Sequence, residues 1–103
     1  MVVAKPLEMP AGVPRRLPLH PGRFLARHYL APLGLTQGEA AKRLGVSRRR
    51  VNELVQGHRA MTPDTAIRCA QAFGLPAADW LQMQAAWDSH AAWKALRAQR
   101  GGR

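Results

Sequence analysis

The chain has 103 residues, with sixteen Lys and Arg against six Asp and Glu, a formal net charge of +10 and a single cysteine. That length suits one domain with a modest core and leaves no room for a second, and the lone Cys69 excludes an internal disulfide. So basic a balance points to a polyanionic partner, nucleic acid ahead of a membrane surface, because no segment pairs a basic face with a continuous lipid-facing stripe.

Residues 1–20 read as a flexible arm, since Pro6, Pro10, Pro14 and Pro18 interrupt any helix and the apolar residues between them lack a period. Arg15 and Arg16 within it are read as solvated. A first helix is expected over Pro21 to Leu30, with Phe24, Leu25, Tyr29 and His28 facing inward, and Pro32 ending it. None of the four histidines, at 20, 28, 58 and 90, stands at metal-ligand spacing from a Cys or an acid, so no metal and no cofactor are expected.

The next stretch, TQGEAAKRLGVSRRRVNELVQGH from Thr36 to His58, carries the most specific pattern. Ala40, Leu44, Val46, Val51 and Leu54 fall where two short crossing helices would touch, and Ala41 is small enough to permit a close approach. Gly45 stands at the turn between them, where a left-handed backbone costs Gly little. Thr36 and Ser47 each precede a helix as N-caps, and Glu39 three residues after Thr36 completes a capping box. Together these describe a helix-turn-helix.

In such motifs the second helix enters the major groove with its N-terminal residues toward the bases. Here that helix spans Ser47 to Gln56 and opens with Arg48, Arg49 and Arg50, followed by Asn52. Arg reads guanine and Asn reads adenine through paired hydrogen bonds. The three arginines are spread about 100° apart, so they cannot all face one way. Arg48 and Arg49 are the expected base readers with Asn52 one turn on, while Arg50 either holds phosphate or pairs with an acid. Gly57 closes the helix, leaving His58 and Arg59 in a loop that could meet the DNA backbone.

A fourth helix starts at Thr62, Pro63 and Asp64, carries an apolar stripe of Ala66, Ile67, Ala70 and Phe73, and stops at Gly74. Cys69 on it is read as buried and inert. A fifth helix follows from about Ala77 and holds Trp80, Trp87 and Trp93 with Leu81, Met83 and Leu96. Trp80, Met83 and Trp87 share a face. Three tryptophans exceed what so small a core needs, so Trp80, Met83, Trp87 and Trp93 are expected to form a dimer or partner contact, the alternative being burial of all three within one chain. The folded domain is expected over 21–97, with 98–103 disordered.

The segments HPGRFLARHYLAPLGLTQ, VSRRRVNELVQGHR, the T-x-DTA-x-R start of helix four and WLQMQAAWD together resemble the HigA-type antitoxins, within the larger lambda-repressor-like (XRE) group, over roughly residues 20 to 90. The resemblance implies an all-α, five-helix fold that forms a homodimer and binds double-stranded operator DNA upstream of its own genes. It also implies a HigB-type toxin partner, a small ribosome-dependent mRNA-cleaving protein neutralised by complex formation. Gln37 matches a position that holds DNA phosphate, and Arg50 and Arg59 match basic positions of the pattern. The triple arginine is more cationic than that pattern, and the first nineteen residues extend beyond it. A stand-alone repressor without a toxin is the alternative. An enzyme is not expected, because no nucleophile elbow, phosphate-cradling Gly loop, metal cluster or carboxylate pair is present. No run is long or apolar enough to span a bilayer and no secretory signal is legible, so the expected location is cytoplasmic.

Overall fold

In the computed structural model, which describes residues 8–101, the chain is built of helices, with no strand among the described residues. The first, α1, is a single helical rod made of an α segment Pro21–Leu25, a π turn Ala26–Leu30 and a last α turn Ala31–Leu33. His20 starts it: its Nδ1 accepts the Gly22 N–H at 2.9 Å, so a histidine serves as N-cap where Ser or Asp is usual. The rod does not stop at Pro32 as expected. Proline lacks an N–H and crowds the carbonyl four residues back, and here the preceding turn is widened, with the Ala31 N–H bonding to Ala26 O. The rod ends at Gly34 (φ +64°), where the Leu35 N–H reaches Leu30 O at 2.8 Å and the Gly34 N–H reaches Ala31 O at 3.1 Å. His28 is exposed rather than inward, its ring stacked on Phe24 at 4.4 Å.

Helix α2, Gln37–Leu44, opens with the expected capping box: the Glu39 N–H donates to Thr36 Oγ1 at 3.1 Å and the Thr36 N–H to Glu39 Oε1 at 2.9 Å. Gly45, left-handed at φ +71°, turns the chain into α3, Arg48–Val55. Helix α4 runs Pro63–Phe73 from its Thr62 cap, and α5 runs Ala77–Gly101. The last helix therefore continues through 98–101, where disorder was expected; Ala, Leu, Arg and Gln in its final turns are all strong helix formers. Of the expected disordered ends, residues 1–7 and 102–103 lie outside the described residues.

Leu25 and Leu30 of α1, Ala40, Ala41 and Leu44 of α2, Val51 and Leu54 of α3, Ala66 and Cys69 of α4 and Trp80 of α5 close one core with Met61. Two features set its geometry. Gly22 lies against the Leu54 carbonyl so closely that a Cβ would overlap it, which brings α1 directly onto the second half of α3. Trp80 is wholly buried: its ring meets Phe24 edge-on at 5.6 Å and Tyr29 at 5.7 Å, and its Nε1 donates to Leu75 O at 3.1 Å. Gln84 pins the loop before α4 to α5, accepting the Met61 N–H at 2.7 Å.

The expected open tryptophan face is corrected by this packing. Trp80 is core, and Trp93 is also buried, sharing a shallow apolar recess with Pro10 and Val13 of the N-terminal segment. Trp87 is half-buried against the His20 ring at 5.2 Å, and Met83 is half-buried beside the core. Ile67, placed on the apolar stripe of α4, instead points outward, because Ala66 and Cys69 occupy the inner side of that helix. Cys69 is buried as expected, and burial pushes its thiol pKa up to about 12, leaving it without nucleophilic thiolate at neutral pH.

Three outcomes are expected. Trp80→Ala should cost about 3–5 kcal/mol in denaturant unfolding. Gly22→Ala should destabilise far more than Gly38→Ala, because a Cβ at Gly38 would meet only the Thr36 hydroxyl at an ordinary 3.9 Å and the change gains about 1 kcal/mol of helix propensity; equal effects would show that α1 does not touch α3 so closely. His20 is held below its ordinary pKa, first by burial and then by the Arg23 charge, with Asp88 opposing. The unfolded chain therefore binds the proton more readily, so stability should be full above the ordinary value of about 6.5 and fall as pH drops below it. His20→Asn should flatten that fall in thermal melts taken across the range.

Candidate nucleic-acid interface

The exposed polar surface of α2 and α3 follows from which residues the core claims. Val51 and Leu54 turn one side of α3 inward, and its N-terminus is set by Ser47, whose Oγ accepts the Arg50 N–H at 3.1 Å. Ser47 is exposed, as a contact residue requires, but its side-chain acceptor is already used as the cap. Given that rotation, Gln37 from the start of α2 and Arg48, Arg49 and Asn52 from α3 converge on one shallow recess. Asn52 Nδ2 donates to Gln37 Oε1 at 3.1 Å across it, orienting both amides. Four of the expected DNA contacts thus come together.

Arg50 does not join them. Its Nη2 turns back to Asp64 Oδ2 at 2.8 Å and to Thr65 Oγ1 at the start of α4, and only a quarter of its side chain is exposed. Of the two roles left open for it, pairing with an acid is the one taken. As a DNA contact Arg50 is therefore corrected, for a geometric reason: a residue two positions from Asn52 and one from Val51 lies near the flank of α3 that faces α4. Asp64 is shared. It also accepts Arg68 Nε at 2.9 Å, and Arg68 Nη1 reaches the carbonyls of Leu44 and Gly45 at 3.0 and 3.1 Å, satisfying the end of α2. Hydrogen bonds from Arg50 first and Arg68 second hold the Asp64 carboxyl below its ordinary pKa, so this bridge between α2, α3 and α4 is ionised at neutral pH.

A second carboxylate organises the outer edge. Glu53 accepts Arg59 through Nε at 2.9 Å and Nη2 at 2.7 Å on one oxygen, and Arg49 Nε at 3.2 Å on the other. Those bonds, Arg59 first, depress the Glu53 pKa. Arg59 thereby lies beside α3, and His58 beside it is exposed. Arg48 makes no ion pair among the described residues. Sequence reasoning missed three anchoring residues. Arg68 had a visible signal in its i,i+4 spacing from Asp64, and Glu53 had one in its i,i+4 spacing from Arg49. Arg23, which donates to Gln56 O at the end of α3 from 33 residues away, had none. Among the described residues no cluster of three or more His, Cys, Asp or Glu could hold a metal, and no helix is long and apolar enough to cross a membrane.

The helix-turn-helix family pattern matches residues 27–80. Virulence-associated protein I of Dichelobacter nodosus is 44% identical over 82 residues, covering 80% of this chain and 76% of that protein. Antitoxin HigA-1 of Vibrio cholerae is 35% identical over 78 residues, covering 73% of each. Among solved structures, the Pseudomonas aeruginosa antitoxin HigA, determined with the higBA promoter, superposes with a TM-score of 0.76 at 30% identity over 80% of this chain and 89% of that one.

The division of labour among the arginines can be tested by stability alone. Arg50→Ala should lower the melting temperature by several degrees, because it strands the Asp64 bridge. Arg48→Ala, at an exposed position without an ion pair, should leave the melt unchanged within about 0.5 kcal/mol. The reverse order would show that α3 is rotated differently.

Proposed function

The chain belongs to the lambda-repressor-like (XRE) helix-turn-helix family, and on that premise we propose that it is an operator-binding antitoxin that represses its own operon and neutralises a HigB-type toxin. The observation that carries the DNA half is the recess where Gln37, Arg48, Arg49 and Asn52 converge at the exposed start of α3. Its residue types match base-edge chemistry: two guanidiniums for guanine and the Asn52 amide for adenine. A homodimer sets two copies of α3 into successive major grooves, about 34 Å apart. Phosphate contacts from Gln37 and His58 supply register and part of the affinity, while Arg48, Arg49 and Asn52 choose the site. The toxin half is supported by the likeness to the two HigA antitoxins.

A stand-alone repressor is the second reading. It draws on the burial of Trp80 and Trp93, which leaves only the half-buried Met83 and Trp87 of the four residues expected at a partner contact. The DNA-binding surface is the same in both readings.

Co-expression with the neighbouring reading frame separates them. A neighbour that is toxic alone and harmless in a stable complex with this chain is the expected result; a harmless or non-binding neighbour leaves the repressor. For the DNA surface, Arg49→Ala should lose discrimination at one base position, at a cost of roughly 1–3 kcal/mol there. Equal weakening on preferred and scrambled duplexes would make Arg49 a phosphate contact instead.

A further inference from the structure

The charge on this surface is not all available. Of the four arginines around α3, Arg50 is turned into the Asp64 bridge, and Arg49 and Arg59 are both held by the single carboxylate of Glu53. Arg48 alone makes no ion pair among the described residues. Glu53 stands one turn past Arg49 on the DNA-facing helix, its side chain 28% exposed and its carboxylate bonded to both guanidiniums. A phosphate attracts any cation, so three unpaired arginines around one helix would bind every duplex alike. A guanine edge offers Arg49 the O6 and N7 acceptors only where the sequence places that base, whereas phosphates recur at every step of any duplex.

We propose that Glu53 is a specificity-determining residue: by pairing Arg49 and Arg59 in the free protein, it withholds them from indiscriminate phosphate binding and releases Arg49 where a base repays the lost pair. The inference rests on the DNA-binding reading of α3. Glu53 makes Arg48 the unpaired electrostatic contact of the helix and makes engagement of Arg49 conditional on sequence. Arg59 keeps two donors on the Glu53 oxygen opposite the one that holds Arg49. Withdrawal of Arg49 therefore leaves Glu53 neutralised and facing the groove, instead of as a bare carboxylate beside phosphate.

The test compares wild type with Glu53→Gln, which keeps the side-chain shape and removes the charge, and with Glu53→Ala as a second variant of good helix propensity. The preferred duplex is first selected from a random pool with the wild-type chain; each protein is then titrated against that duplex and a scrambled one over a range of salt. Loss of Glu53 should tighten binding to the scrambled duplex roughly five- to tenfold near 0.1 M salt and steepen the log–log salt slope by about one to two units, as one or two guanidiniums become free to displace counterions. Affinity for the preferred duplex should rise less, so the ratio between the two falls. An unchanged scrambled affinity and slope in both variants, with melting curves like wild type, would overturn the role of Glu53 and leave the DNA reading intact. A wild-type chain that binds no duplex at all would overturn the DNA reading, and the inference with it.

Discussion

The presentation of α3 depends on one partly exposed ion pair, Arg50 to Asp64, and on what Asp64 does with its other partner. A helix offers its residues at 100° steps, so fixing the direction of one fixes them all. With Arg50 drawn to α4 and Val51 and Leu54 in the core, Arg48, Arg49 and Asn52 have nowhere to point but outward. Arg68, on the same carboxylate, reaches the last carbonyls of α2. One acid therefore sets the rotation of the second helix and finishes the first. The other end of α3 is treated similarly from α1, where Arg23 meets the Gln56 carbonyl and Gly22 permits contact with Leu54.

Charge on the molecule is apportioned by two carboxylates. A net +10 suggests a surface of interchangeable cations, yet Asp64 commits Arg50 and Arg68 to structure and Glu53 ties Arg49 to Arg59. Attraction to a polyanion acts over a Debye length and does not distinguish sequences. On the proposed reading, discrimination comes from the few side chains whose direction is set and whose partners can be exchanged. Both acids are exposed enough to remain ionised and close enough to their arginines to be depressed in pKa, so this apportioning holds throughout the neutral range.

The long last helix is the part most changed by seeing the fold. Three tryptophans on 25 residues suggested an outward-facing patch. Trp80 instead fills the centre of the core under Phe24 and Tyr29, Trp87 rests on the His20 ring, and Trp93 is covered beside Pro10 and Val13. These are contacts between the two ends of the chain. Counting apolar residues against the expected core size misjudged them, and the proline-rich segment, set aside as an arm, lines the recess beside Trp93.

What the sequence determined by itself is closed within about five residues, mostly caps and turns. The capping box of Thr36 and Glu39, the Ser47 and Thr62 caps, and the left-handed glycines at 45, 57 and 74 all read correctly, because each satisfies a backbone group only a few positions away. The helix-turn-helix is made almost wholly of such signals, so it was legible, whereas the bond between Gln37 and Asn52, fifteen residues apart, was not. Tertiary structure decided the rest: Arg50 inward, Ile67 outward, His20 buried as a cap, the tryptophans covered and α1 carried past Pro32. These turn on partners brought close by the fold, or on the room a neighbouring turn can make, and a one-dimensional pattern carries the residue types for such contacts without saying which of them will be opposite one another.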